Sequence, residues 1–210
     1  MNSQYNEEEI IINFFQSKRD GFLVDIGAVD GVINSNSRFL IQHLGWNGLL
    51  VEPNPETFTK LNELYFNISD KIKLENVAIF NEERKDVDFH IYGHDVNDSQ
   101  GSTISNEFRE RAILQTGDKY TKTIKIHTIT LKTLFTSNHI KDKFDFLSVD
   151  CEGTDYEVLS SNDWNTYRPK LICFEASINV DKVETLLRNN DYVFHDRTLG
   201  NIFYKDNRSY

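Results

Sequence analysis

The sequence predicts an α/β fold: a mostly parallel seven-stranded sheet with one antiparallel strand and helices on both faces. Three observations carry this. Short apolar runs alternate with segments of helical period, which is the pattern of parallel strands joined by crossover helices. Several of those runs carry an acid at or next to their end, as in Phe22-Leu23-Val24-Asp25-Ile26 before Gly27, Leu49-Leu50-Val51-Glu52 and Leu171-Ile172-Cys173-Phe174-Glu175. The chain closes with two runs flanking Thr198-Leu199-Gly200-Asn201, a hairpin that supplies the antiparallel strand. At 210 residues, with no repeat and no linker, residues 1–210 read as a single domain.

Each element has a local cause. Residues 1–20 hold an N-terminal helix, with Asn6 as its cap, Glu7, Glu8 and Glu9 in its positive first turn, and Ile10, Ile11, Phe14 and Phe15 as its apolar stripe. Asp20-Gly21 ends it. Phe22–Ile26 is the first strand. Ser35 to Leu44 is a helix closed by Gly45, and Leu49 to Glu52 the second strand. Pro55 opens a helix that runs to Phe66. Lys71 to Phe80 reads as a third strand and Val87 to Tyr92 as a fourth. Residues 93–117 are polar and lack periodicity, and are expected to form a lid or substrate loop. Beyond them the expected elements are a strand at Thr123 to Ile129, a short helix at Leu131 to Thr136, and a strand at Phe144 to Val149. A helix at Asp155 to Leu159, a strand at Leu171 to Phe174, a helix at Val180 to Asn189, and the closing hairpin follow.

Bulk properties exclude some classes. A net charge of -10 argues against nucleic acid as a partner, which requires dense Lys and Arg. Lys119, Lys122 and Lys125 alternate on one strand and read as a solvated face. No apolar run reaches membrane-spanning length, so no membrane insertion is expected. The first residues are acidic rather than basic, unlike a secretory signal, and a cytoplasmic location is expected. Cys151 and Cys173 read as buried thiols, since their spacing matches no zinc pattern.

The site is read from the first two strands. Gly27 and Gly31 stand at the turn after the first strand, where the backbone bends and can approach a ligand. Glu52, ending the second, can accept both ribose hydroxyls of a nucleoside. The Gly27-x-x-x-Gly31 spacing lacks the middle glycine of a dinucleotide turn, and Asp25 and Asp30 would repel a pyrophosphate. Those charges suit a cofactor with an ammonium and a sulfonium, which describes S-adenosylmethionine.

The segments Asp25-Ile26-Gly27-Ala28-Val29-Asp30-Gly31 with Ser35-Asn36-Ser37, Glu52-Pro53-Asn54-Pro55, Asn76-Val77-Ala78-Ile79 and Asp150-Cys151-Glu152-Gly153 with Tyr156-Glu157-Val158-Leu159 together resemble FkbM-type methyltransferases. The resemblance spans about Phe22 to Glu175 and departs from the family at Ala176-Ser177, where His-Asn is frequent after the acid. It implies a Rossmann-like class I methyltransferase fold, S-adenosylmethionine as methyl donor, and O-methylation of a hydroxyl on a sugar, glycan or related small molecule. The donor-binding residues would be Asp25, Gly27, Gly31, Ser35, Glu52, Asn54, Ala78 and Asp150, with Asp150, Glu152 and Glu175 as the catalytic candidates. His94 and His127 are further imidazole candidates. A divalent cation is not expected; if one served, Asp150 and Glu175 would hold it. The alternatives are a NAD- or nucleotide-sugar-binding oxidoreductase and a module that keeps the fold without catalysis.

Overall fold

The computed structural model describes residues 3–93 and 100–208. A seven-stranded sheet has the order β3-β2-β1-β7-β8-β10-β9. Its strands are β1 (Phe22–Ile26), β2 (Asn47–Val51), β3 (Ile72–Glu75), β7 (Lys143–Val149), β8 (Arg168–Glu175), β9 (Tyr192–Arg197) and β10 (Asn201–Asp206). Neighbours are parallel from β3 through β8, and β10 runs antiparallel to both β8 and β9. The sheet is thus as the sequence predicts, with β10 as its one antiparallel strand.

Two apolar layers hold it. On one face Val24, Val51, Leu147 and Ile172 pack with Leu134 and Phe135 of α5 (Leu131–Ser137), Val158 of α6 (Asp155–Ser160) and Val183 and Leu187 of α7 (Val180–Asn189). On the other, Leu23, Leu50, Phe146 and Leu171 meet Ile11 of α1 (Glu7–Phe14), Leu40 of α2 (Arg38–Leu44), and Leu61 and Tyr65 of α3 (Pro55–Tyr65). Alternate residues of each strand therefore serve opposite faces, and the central strands need apolar side chains throughout. Trp46 and Trp164 belong to these layers.

Several elements differ from expectation. The second helix begins at Arg38 rather than Ser35, because Ser35 Oγ accepts the Arg38 N–H at 3.1 Å and the preceding residues form a loop. Asn6 does not cap α1 through its side chain; it sits at φ 66°. The predicted third strand is two, interrupted where the Asn76 side chain donates to the carbonyls of Glu52 (2.7 Å) and Pro53 (3.2 Å). Its second half, β4 (Ala78–Ile79), joins β5 (Arg84–Tyr92) and β6 (Tyr120–Ile129) in a separate three-stranded sheet. The 93–117 stretch includes an 11-residue helix, α4 (Asn106–Thr116), capped by Ser105, whose Oγ accepts the Phe108 N–H at 3.1 Å. His94, Asn97, Asp98 and Ser99 lie outside the described residues. Of the three lysines on the predicted strand, Lys122 pairs with Glu56, Lys125 with Asp88, and Lys119 lies over the Tyr92 ring. Cys151 and Cys173 are free thiols, Cys173 fully buried and Cys151 half-buried.

Candidate active site

The carboxyl ends of β1, β2, β7 and β8 open onto one cleft with an apolar and a polar half. The apolar half is walled by Val51, Val77, Ala78, Ile79 and Phe89, with Glu52 among them. Asp25, Ser35, Asn36, Ser148, Glu175 and Asn201 line the polar half. Gly27, Val29, Gln100, Asp150 and Glu152 border both.

Glu52 follows β2 and is almost wholly buried. Its Oε2 accepts the Val29 N–H at 3.0 Å and its Oε1 the Asn54 N–H at 2.8 Å. Each carboxylate oxygen keeps a further lone pair for a ligand hydroxyl. Burial pushes this carboxyl up to about 8, against the pull of the two N–H bonds. Asp25, in β1, is pushed to about 6 by burial, while hydrogen bonds with Ser37 and Ser148 draw it down. Gly27 sits at φ 87°, and a Cβ there would lie 1.9 Å from the Asp150 carbonyl oxygen, so the turn after β1 can seat itself against β7 only without a side chain.

Asp150, Glu152 and Glu175 converge, with one carboxylate oxygen of each within 4.8 Å of the others. Burial lifts Asp150 well above the carboxylate range, reinforced by the charges of Glu175 and Asp25. Glu152 is raised by burial, then by Asp150 and Glu175. Glu175 is raised by burial despite its hydrogen bond from Ser177 and the nearby Arg111. Asp150 Oδ1 is buried and has no hydrogen-bond partner among the described residues. Glu152 is held at φ 50°, a conformation rare outside glycine, and its carbonyl accepts the Thr103 hydroxyl at 2.7 Å.

The structure brings most of the named residues to the cleft: Asp25, Gly27, Ser35, Glu52, Ala78, Asp150, Glu152 and Glu175 all line it. Two of the donor-binding candidates lie elsewhere. Gly31 packs under α3, where a Cβ would meet Leu61, Leu64 and Tyr65 at 2.8–3.0 Å. Asn54 caps α3, its Oδ1 accepting the Glu56 N–H at 3.1 Å. His127 is exposed on β6. Ser148 and Asn201 also line the polar half, beyond the residues the sequence points to. A serine inside an otherwise apolar strand was a signal for the first. The second depends on strand register, since Asn201 pairs across from Glu175.

The sheet order, the strand-end acids and the divided cleft define an open α/β domain of the class I methyltransferase type. An apolar wall stands beside the Glu52 carboxylate, and the Asp150 carboxylate lies close by. The Methyltransferase FkbM domain profile matches residues 25–194, and the chain belongs to that family. Among solved structures it is similar to the FkbM methyltransferase from Methylobacillus flagellatus KT, with 12% identity, a TM-score of 0.55 and 97% of this chain aligned. The chain spans 56% of that protein's length. The Thermotoga maritima S-adenosylmethionine-dependent O-methyltransferase shares 10% identity, with a TM-score of 0.50 over 100% of this chain and 68% of the other. The B. subtilis tRNA methyltransferase TrmK shares 7%, with a TM-score of 0.53 over 98% and 68%. At these identities the likeness is one of fold. No curated protein sequence matches the chain. No described helix is long and apolar enough to cross a membrane.

Proposed function

We propose that the chain O-methylates a hydroxyl of a sugar, glycan or related small molecule, with S-adenosylmethionine as donor. The convergence of Asp150, Glu152 and Glu175 at the junction of the two cleft halves carries this reading. Bound there, the donor would supply a methyl group activated by positive sulfur. Glu52 accepts the ribose hydroxyls, and Val77, Ala78 and Ile79 flank the adenine. Asp25 and Asp150 face the positive end and hold the methyl toward the polar half.

A hydroxyl acceptor must lose its proton as it attacks. Glu152 borders both halves of the cleft, and burial, with Asp150 and Glu175 beside it, raises its proton affinity above that of an ordinary carboxylate, in the sense a general base requires. We assign it the proton. Asp150 borders donor and acceptor, and Glu175 faces the acceptor. The same acids could serve a hard cation, but a carboxylate base requires none. An acidic cleft also disfavours nucleic acid as acceptor.

Calorimetry with S-adenosylhomocysteine tests the donor site. Glu52→Ala should weaken that binding by roughly 1.5–3 kcal/mol, the range for charge-assisted hydrogen bonds. Glu152→Gln should retain binding and lose about 10²–10⁴ in turnover, the usual share of a general base. An undiminished rate in Glu152→Gln would move the proton to another group. No binding heat at millimolar ligand would remove the donor assignment.

A further inference from the structure

Glu175 and Asn201 are cross-strand partners, so their side chains leave the same face of the sheet side by side. Both line the polar half of the cleft. With adjacent strands ~4.8 Å apart, the Glu175 and Asn201 strands lie about 10 Å and 14 Å from the Asp25 strand. They therefore stand on the acceptor side, away from Glu52 and the adenine wall. Asn201 is 5% exposed, and its Nδ2 donates to Glu7 Oε1 at 3.1 Å. That bond fixes the amide orientation and leaves Oδ1, a buried acceptor, with no partner among the described residues. None of the described residues lining this half is Lys, Arg or His, and it gathers Asp25, Asp150, Glu152 and Glu175. Arg111 is outside this lining, donates to the Ser177 carbonyl at 3.5 Å, and among the described residues is the one cation that acts on the Glu175 carboxyl.

We infer that the acceptor carries a basic amine beside its hydroxyls, as an amino sugar does, and that Glu175 and the free Asn201 Oδ1 receive its ammonium. This rests on the methyltransferase reading above. An ammonium offers several donors and no acceptor, which matches a subsite made of acceptors. Its charge also relieves the mutual repulsion of the three clustered carboxylates. A phosphorylated sugar would meet only like charge.

The test compares glucosamine, glucose and glucose 6-phosphate by calorimetry, with and without S-adenosylhomocysteine, first in EDTA and then with Mg²⁺ in its place. Glucosamine should bind at least roughly tenfold tighter than glucose, and glucose 6-phosphate should give no saturable heat. Glu175→Gln should remove the preference, and Glu175→Lys should reverse it toward the phosphate. Equal binding of all three, absent binding of glucosamine, or binding that appears only when Mg²⁺ replaces EDTA overturns the inference. Thermal melting checks that each variant folds. Failure of S-adenosylhomocysteine to bind would count against the donor site alone, because the amine preference is also scored in the free protein.

Discussion

Asp155 sets the spacing of the site although it lines neither half of the cleft. It is 2% exposed at the start of α6. Its Oδ1 accepts the Cys151 N–H and its Oδ2 the Glu175 N–H, both at 2.9 Å. One carboxylate thus ties the ends of β7 and β8 and fixes how closely Asp150 and Glu175 approach. Asparagine keeps the shape but turns an NH₂ toward one of those N–H groups. Asp155→Asn should therefore lose about 1–3 kcal/mol, the penalty for a buried donor left unsatisfied. Urea denaturation measures it. An unchanged midpoint would show that the strand ends are held by the sheet alone. The sequence marks Asp155 only as an acid opening a helix, because its tie to the Glu175 N–H joins it to another strand that no local pattern reveals.

Among the elements, the central strands were legible because burial on both faces demands continuous apolar runs, and the acids at their ends stood out against them. Glu52, Asp150 and Glu175 follow from that contrast. Helix α4 was not legible. It has no buried residues and is polar on most of its surface, so it presents no periodic stripe. It is held instead by the Ser105 cap and by Phe108, which packs against Gly153. Gly153 has φ 92°, and a Cβ there would lie 2.8 Å from Phe108 Cβ. Gly153→Ala should push α4 off the turn that carries Glu152. The expected outcome is a raised acceptor KM with S-adenosylhomocysteine affinity little changed, because Glu52 and the adenine wall lie elsewhere. Steady-state kinetics and calorimetry separate the two. A loss confined to donor binding would place α4 over the wrong half of the cleft. Register was hidden for a related reason: no local pattern sets Asn201 opposite Glu175.

For the whole molecule, the concentration of buried acids at one sheet edge makes stability depend on pH with a defined sign. Asp25 is raised to about 6 and Glu52 to about 8 by burial, and Asp150, Glu152, Asp155 and Glu175 are raised as well, burial first and neighbouring charge next. Each binds its proton more tightly folded than unfolded. Their contribution is present in full below the unfolded carboxylate range and is lost as pH rises through the folded values. Asp145, drawn down by its bonds from Lys18 and Lys170 against the effect of burial, acts in the opposite sense only at more acidic pH. His195, lowered by burial, gains stability as pH rises through its range, but it is one partly buried group against six acids. The thermal midpoint of the free protein should therefore fall between pH 5.5 and 8.5. Each kcal/mol lost would lower it by roughly 2–4 °C for a chain of this size. Hydroxyl donors on Glu52 favour its ionised form, so S-adenosylhomocysteine should bind more tightly at pH 8.5 than at pH 6.5 and recover part of the lost midpoint. Differential scanning calorimetry at both pH values, with and without the ligand, measures the two effects together. A midpoint that is flat or rises toward pH 8.5 would mean that the clustered acids ionise without penalty, and the electrostatic basis for the base and for the amine subsite would go with it.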